Sequence, residues 1–304
     1  FYIHIFLFSN MELIRVGKVK KVYAINENEL LFEFTNNISV FDKIIPSEIP
    51  DKGASLCRTS AHWFQISENM GFRTHFISLE SSNKMRVKRF NIVQKGKTDL
   101  KNYLIPLEFI TRYYVAGSLF DRLKEGKISM KEVGLKNLKY GEPLSSPFFE
   151  VTTKFEEHDR NLNLNEALEI SGLKMSELDE IREIILKVDE KINNDVKERG
   201  LLHVDGKKEF ALDNERRPYL VDTFGTADED RFWDLLEYNK GNFVELSKEF
   251  VRQYYRKIGY FEKLMDAREK GLEEPQIPPL PKDMIEKTSK LYKELYEKIT
   301  GKKW

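Results

Sequence analysis

The sequence predicts an α+β protein, with an N-terminal antiparallel sheet followed by a larger domain of mixed strands and helices. The first third of the chain alternates polar and apolar residues with the period of two that strands show, as in Lys18–Ala24 and Glu29–Thr35. Later segments repeat apolar residues at helical spacing. We therefore predict one domain at residues 11–105 and a second at residues 106–304, with residues 1–10 as an appendage.

The ends of the predicted helices carry recognisable signals. A helix in the first third should stop before Gly71, because glycine is a common C-terminal cap. Ser176 and Asp179 resemble a capping box that starts a core helix, and Gly200 ends it. A final helix should pack its apolar stripe on the body of the protein; the stripe is Met284, Ile285, Thr288, Leu291, Tyr292, Leu295, Tyr296 and Ile299.

Composition narrows the classes of function. Fifty basic and fifty acidic residues cancel among 304, and no long block has one sign, so neither nucleic acid nor a membrane surface is an expected partner. The single cysteine, Cys57, excludes an intramolecular disulfide and a multi-cysteine zinc site, and suits a packing role in a reducing cytoplasm. Residues 1–8 are apolar but too short to cross a bilayer. A cytoplasmic location is therefore predicted.

A hairpin between residues 205 and 224 holds the strongest candidate site. Two strand-like runs flank Asp213–Pro218, a cluster of turn-forming residues. If the turn is centred between Glu215 and Arg216, Glu209 faces Asp222 directly across the two strands, and Lys207 lies on the same face as Glu209. A slip of one residue would destroy this alignment.

Two carboxylates placed roughly 5 Å apart on one sheet face repel each other. The pair should therefore share a proton, recruit a lysine, or bind a hard divalent cation. Magnesium carried by a nucleotide suits a pair of carboxylates that has few other protein ligands. A solvated hairpin with ordinary surface charges is the alternative, and the residues alone leave it open.

Several other polar positions could bind phosphate or act in catalysis. Lys18 and Lys20 share one strand face and could contact phosphate, or they could form a solvated basic edge. Arg112 precedes the small-residue turn Ala116–Ser118 and could bind phosphate bidentately, or it could be a surface arginine. Arg231 could be a second such clamp or half of an ordinary ion pair.

A polar segment at Thr153–Asp159 combines donors, acceptors and one titrating group, His158. Histidine there could act as a general base near neutral pH, although a polar surface loop is the alternative. The other histidines show no metal-ligand spacing and are interpreted as structural.

Taken together, these motifs resemble the phosphoribosylaminoimidazole-succinocarboxamide synthase family. The resemblance runs in order from about Val16 to the C-terminal Tyr292, Tyr296 and Trp304. Its motifs are Gly17–Tyr23, Ile49–Gly53, Pro106–Arg112, Ala116–Ser118, Thr153–Lys154, His158–Asp159, Lys207–Phe210, Asp222 and Arg231–Asp234.

The resemblance implies an ATP-dependent ligase of purine biosynthesis, in which ATP activates the carboxylate of carboxyaminoimidazole ribonucleotide (CAIR) and L-aspartate displaces phosphate to form an amide. It implies a fold in which the two domains enclose an ATP cleft, related to those of kinases and ATP-grasp enzymes. ATP and magnesium are the implied cofactors, the three small molecules are the implied partners, and a homo-oligomer is left open.

The resemblance also assigns roles to single residues. Glu209 and Asp222 would hold magnesium and act in catalysis with Lys207, which would neutralise the carboxylate being activated. The nucleotide would lie near Lys18, Lys20 and the segment from Leu104 to Glu108. The substrates would be bound by Arg112, Ser118, Lys154, His158, Asp159, Lys207 and Arg231.

Two departures from the family pattern follow Asp222. A second acidic residue is expected next, but the chain has Thr223, and the usual proline-containing loop reads Thr226–Asp230. The departures bear on finer contacts, such as those to the aspartate substrate. Two alternatives remain: an ATP-dependent phosphotransferase with a kinase-like fold, and an inert nucleotide-binding module. In the inert module, a replaced carboxylate at position 209 or 222 would be expected, whereas both are intact.

Overall fold

The computed structural model describes residues 11–156, 160–246 and 249–304. It divides into two compact units. Of the described residues, the terminal unit comprises those within 11–62, Phe76–Arg89 and Glu245–Trp304, and the central unit comprises those within Trp63–His75 and Phe90–Val244. The predicted domain boundary at 105/106 differs from this division, because the C-terminal helices group with the N-terminal sheet.

The described residues form mainly antiparallel sheets together with helices, which confirms the predicted α+β class. The strands are β1 (Glu12–Val16), β2 (Lys20–Ala24), β3 (Glu29–Phe34), β4 (Asn37–Val40), β5 (Lys43–Glu48), β6 (Phe76–Ser81), β7 (Lys84–Lys88), β8 (Asn91–Ile92), β9 (Tyr103–Leu104), β10 (Leu107–Tyr114), β11 (Pro143–Thr153), β12 (Leu201–Leu212), β13 (Pro218–Val221) and β14 (Arg231–Asp234). The helices are α1 (Lys52–Asn69), α2 (Gly117–Lys124), α3 (Leu164–Ser171), α4 (Met175–Glu198), α5 (Leu235–Asn239), α6 (Glu249–Lys257), α7 (Tyr260–Glu269) and α8 (Lys282–Thr300).

The terminal unit contains a five-stranded antiparallel sheet in the order β1-β2-β3-β7-β6 and the separate hairpin β4-β5. Helix α8 buries the predicted stripe at Thr288, Tyr292, Leu295, Tyr296 and Ile299. Its last turn ends at Gly301, whose φ of 72° allows the left-handed C-cap that satisfies a helix carbonyl. The final helix is therefore a packed element, as its periodicity predicts.

The central unit is built on a seven-stranded sheet that follows the path β11-β10-β12-β9-β8, with β13 and β14 also paired to β12. The twelve residues of β12 are almost all buried. Helix α4 contributes a buried apolar face that consists of Leu178, Ile181, Ile184, Ile185, Val188, Ile192 and Val196. Strand β12 thus lies inside the sheet and carries several of the polar side chains of the site.

The start of α4 corrects one sequence prediction. The helix begins at Met175, one residue before the predicted cap at Ser176. The Glu177 carboxylate accepts a hydrogen bond from the backbone N–H of Lys174 at 2.7 Å. The Glu177 side chain thus satisfies the backbone N–H of Lys174 at the start of the helix, so Ser176 is not needed as a cap.

The hairpin register also differs from the prediction by one residue. Glu209 pairs with Val221 and Leu212 with Pro218, so Glu209 does not face Asp222 directly. The turn is centred on Glu215 because the Asp213 side chain accepts the backbone N–H groups of Glu215 and Arg217, both at 2.9 Å. Arg216 takes a left-handed φ of 61° to close it.

No helix within the described ranges is both long enough and apolar enough to cross a membrane.

Candidate active site

Four strands of the central unit deliver charged side chains to one cluster. Lys207 and Glu209 lie two residues apart on β12 and therefore share a face. Glu108 lies on β10, which pairs with β12 in antiparallel register. Lys154 directly follows β11, and Asp222 directly follows β13.

The two predicted metal ligands converge although they are not paired across the hairpin. Asp222 has a left-handed φ of 62°, so the backbone turns immediately after β13. Its carboxylate lies 3.8 Å from the ammonium nitrogen of Lys154, which also forms an ion pair with Glu209. Both acids therefore point towards one cationic atom.

A close pair of acids is expected to share a proton, recruit a lysine or bind a divalent cation. Here the pair has recruited a lysine, Lys154. The side chain of Glu209 is only 2% exposed, and a buried carboxylate is costly unless a cation compensates it. The convergence of the two carboxylates on one position is also the arrangement that a shared hard cation requires. These residues fit a magnesium ion.

Lys207 occupies a second cationic position beside the first. Its ammonium nitrogen lies 2.8 Å from Glu108, 3.3 Å from Glu209 and 3.2 Å from Glu229. Burial alone would lower the pKa of Lys207, but the carboxylates of Glu229, Glu209 and Glu108 raise it well above its ordinary value. The lysine therefore stays charged.

The cluster has an excess of negative charge. Four carboxylates, of Glu108, Glu209, Asp222 and Glu229, surround the two ammonium groups of Lys154 and Lys207, which leaves two negative charges when all are ionised. Burial raises the pKa of Glu108 to about 7 against the opposing effect of Lys207. A divalent cation would offset this excess.

A second cluster gathers the residues predicted to bind phosphate. Arg112 donates from Nε to Glu150 at 2.5 Å, from Nη1 to Asp205 at 3.3 Å and from Nη2 to the Ser118 hydroxyl at 3.0 Å. Nε of Arg231 lies 3.6 Å from the same Asp205. The fold thus brings the two arginines and the serine together around one aspartate.

Gly117 is what lets Arg231 approach this turn. A Cβ atom built on Gly117 would lie 2.4 Å from Nη2 of Arg231, and the residue has a φ of 51°. Glycine alone tolerates both the backbone conformation and the close approach. Gly117 is also the first residue of α2, where free backbone N–H groups favour anions.

The remaining predicted residues either make contacts within their own unit or are not described. In the terminal unit, Lys18 pairs with Asp42 at 2.7 Å, and Nζ of Lys20 lies 4.3 Å from the centre of the Phe32 ring. In the central unit, Leu104 pairs with Ala211 of β12. The catalytic-base candidate His158 and its neighbour Asp159 lie outside the described residues.

Sequence reasoning missed three acids of the two clusters and named a fourth, Glu108, only as a neighbour of the nucleotide. In the structure Glu108 is a direct partner of Lys207. Asp205 lies two residues before Lys207, so the strand period could have identified it. Glu150 and Glu229 lie on β11 and in the loop after β13, and no local pattern connects them to the hairpin.

A buried polar network lies next to the arginines. His203 contacts the Asp230 carboxylate through Nε2 at 2.7 Å, and Asp189 accepts from the Tyr113 hydroxyl at 2.8 Å and pairs with Lys208. A histidine and two aspartates can hold a metal, but here the Lys208 ammonium already compensates Asp189. We interpret the network as structural, because it joins β12 to α4 and to the loop before β14.

Paired acids beside lysines, together with arginines at a helix N-terminus, are typical of an enzyme that acts on phosphorylated substrates. The model of the SAICAR synthetase family matches residues 13–266, and the chain belongs to that family.

Individual proteins agree with this assignment. The phosphoribosylaminoimidazole-succinocarboxamide synthase of Thermoplasma volcanium is 58% identical over 97% of this chain and 100% of its own length. Among solved structures, the SAICAR synthase from Saccharomyces cerevisiae complexed with SAICAR has a TM-score of 0.76 at 25% identity, covering 98% of this chain and 97% of that one. A SAICAR synthetase in complex with ADP has a TM-score of 0.69 at 28% identity, covering 97% of this chain and 99% of the other.

Proposed function

We propose that this protein is an ATP-dependent carbon–nitrogen ligase that joins L-aspartate to the carboxylate of CAIR and releases SAICAR, ADP and phosphate. The observation that carries the proposal is the convergence of Glu209 and Asp222 on one cationic position beside Lys207. Family membership and the relatives solved with SAICAR and with ADP support it.

The proposed reaction has two steps. A carboxylate oxygen of CAIR attacks the γ-phosphorus of ATP, which forms an acyl phosphate and releases ADP. The amine of aspartate then attacks the acyl carbon, an amide bond forms, and phosphate departs with the bonding electrons while the amine loses a proton. Both steps bring anions together, so charge neutralisation and positioning are the main tasks of the protein.

Glu209 and Asp222 are the proposed magnesium ligands. When bound, the ion would neutralise charge on the ATP phosphates. Lys154 contacts both acids and keeps them oriented towards one point. Lys207, held charged by its carboxylate neighbours, is the proposed partner of the CAIR carboxylate.

The arginine cluster is the proposed site of the ribonucleotide phosphate. Arg231 is the more accessible of the two guanidinium groups, because Arg112 is buried and already bonded to Glu150 and Asp205. Ser118 is exposed at the first turn of α2, where its hydroxyl can add a donor. Arg112 then orients the site and Arg231 provides the direct contact.

Two further roles rest on the family resemblance. Lys18, Lys20 and the segment from Leu104 to Glu108 are proposed to contact ATP. His158 and Asp159, with Lys154, are proposed to contact the substrates. A cytoplasmic location is proposed because it suits a chain with one unpaired cysteine.

An assay of nucleotide turnover tests the function. Purified protein is mixed with ATP, magnesium, CAIR and L-aspartate, and each acceptor is omitted in turn. The ligase should release ADP in a sustained manner only when both acceptors are present. Sustained ADP release without aspartate would instead indicate a phosphotransferase, and ATP binding without turnover an inert module.

A further inference from the structure

Three carboxylates surround the Lys207 ammonium group at 2.8 to 3.3 Å. Glu108 and Glu209 accept hydrogen bonds from it, whereas Glu229 is held as an ion pair. A substrate carboxylate that binds Lys207 must approach against three negative charges, so its binding is favoured when one of these acids gives way. The question is which of Glu108, Glu209 and Glu229 is replaced.

The structure distinguishes the three acids. The side chain of Glu209 is 2% exposed and is also bound by Lys154, and that of Glu108 is 12% exposed and makes the shortest contact with Lys207. The side chain of Glu229 is 23% exposed. The hydrogen bond that it accepts from the Thr223 hydroxyl is long at 3.4 Å. Glu229 is the acid held least firmly.

The backbone around Glu229 is nevertheless well anchored. The hydroxyl of Thr226 accepts a hydrogen bond from the Glu229 N–H at 3.3 Å, and the backbone carbonyl of Thr226 accepts one from the Asp230 N–H at 2.9 Å. The Asp230 carboxylate is bound in turn by the Gly225 N–H at 2.9 Å and by His203 at 2.7 Å. Release of Lys207 therefore needs only a rotation of the Glu229 side chain, not a movement of the loop.

We propose that Glu229 is an exchangeable partner of Lys207 that occupies the ammonium group until the carboxylate of the substrate displaces it. The inference rests on the proposed function, in which Lys207 binds the CAIR carboxylate. Glu229 holds Lys207 in position between turnovers and competes with the incoming carboxylate. It is a positioning residue that sets the affinity for one functional group of the substrate.

The test compares two ligands that differ only in that group, CAIR and aminoimidazole ribonucleotide, which lacks the carboxylate. Calorimetry without ATP measures both dissociation constants for wild type and for Glu229→Gln. Removal of the competing charge should tighten CAIR binding about 3- to 10-fold, while the binding of the other ribonucleotide stays unchanged. A purely structural role would alter both ligands together and lower the melting temperature.

A matched variant distinguishes an effect of the Glu229–Lys207 contact from a general effect of negative charge in this turn. Asp228→Asn removes the same charge from the same turn one residue away, and it should leave the ratio of the two dissociation constants at the wild-type value. Weaker CAIR binding in Glu229→Gln, or an equal change for both ligands, would overturn the proposal. The binding ratio is independent of turnover, whereas absence of SAICAR formation by wild type would count against the proposed function itself.

Discussion

Single residues show how much of the site depends on backbone conformation. Asp222 reaches Lys154 because its φ of 62° turns the chain directly after β13. In a regular strand with this register, Asp222 would not lie opposite Glu209, which pairs with Val221. An aspartate accepts this left-handed conformation more readily than most residues do. The pair of acids is therefore assembled by one unusual residue, not by a ladder of cross-strand partners.

The central prediction at this scale concerns Glu209. Glu209→Gln keeps the shape of the side chain but removes the charge that a divalent cation needs, so turnover should fall by about 100-fold or more. ADP release across a magnesium titration is the measurement. Glu215→Gln, at the exposed tip of the same hairpin, is the control and should retain activity. Near-normal turnover by the Glu209 variant would remove that residue from the metal site.

At the scale of elements, the Arg216 side chain ties the turn of the hairpin to the start of α4. Arg216 sits at the turn and donates to the Glu177 carboxylate in the first turn of α4, from Nε and Nη2 at 2.7 Å each. It also donates to the carbonyl of Gly172 at 2.9 Å. The turn that sets the hairpin register is thereby tied to the start of the core helix.

This link predicts a contrast between neighbouring arginines. The side chain of Arg216 is 10% exposed and that of Arg217 is 46% exposed. Arg216→Ala leaves a partly buried carboxylate unpaired and should lower the free energy of unfolding by about 2 to 4 kcal/mol. Arg217→Ala removes an exposed guanidinium, and its partner Asp213 keeps the hydrogen bonds from the backbone N–H groups of Glu215 and Arg217, so the loss should be about 0 to 1 kcal/mol. Chemical denaturation of both variants measures the difference, and equal values would contradict it.

The same pair predicts a dependence on pH. Burial opposes ionisation of Glu177, but the hydrogen bonds from Arg216 and from the Lys174 backbone lower its pKa below the ordinary 4.5. A depressed native pKa stabilises the fold above pH 4.5, and this contribution is lost as the pH falls through the native pKa. The stabilities of wild type and Arg216→Ala should therefore converge in acid, and a gap that is constant down to pH 2 would argue against the link.

At the scale of the whole molecule, the two compact units do not follow the order of the chain. Helices α6, α7 and α8 group with the N-terminal sheet, while the polar clusters of the site lie within the central unit. Within the terminal unit, Ser55 of α1 donates to the carbonyl of Tyr292 in α8 at 2.8 Å, and Arg58 stacks on Tyr296 and Trp304. Helix α1 and the C-terminal helix α8 are therefore parts of one packed body.

Cys57 on α1 gives a probe of that body. It is fully buried and is the single cysteine in the sequence, and burial raises the pKa of its thiol well above the ordinary value. The native protein should therefore react negligibly with a thiol reagent at pH 8, and one thiol per chain should react on unfolding. Lys290→Cys in the Cys57→Ser background places a thiol at an exposed position and should react at once. Rapid labelling of Cys57 in the folded protein would show that α1 is not stably packed.

Local periodicity determined what could be predicted from the sequence alone. The period of two placed Lys207 and Glu209 on one face, and the helical stripe of α8 packed as expected. Both are properties of consecutive residues, so they do not depend on what lies across the fold. The family motifs extended this to Arg112, Ser118 and Arg231, which the structure brings together.

Only the tertiary structure decided which charges meet. The hairpin register depended on the Asp213 side chain, which moved the turn by half a residue and displaced Asp222 from its predicted partner. Lys154 and Glu229 reach Glu209 and Lys207 from distant parts of the sequence. Strand pairing and burial of the sheet bring them together, and a carboxylate or ammonium group in such a place needs a partner whose position no local pattern specifies.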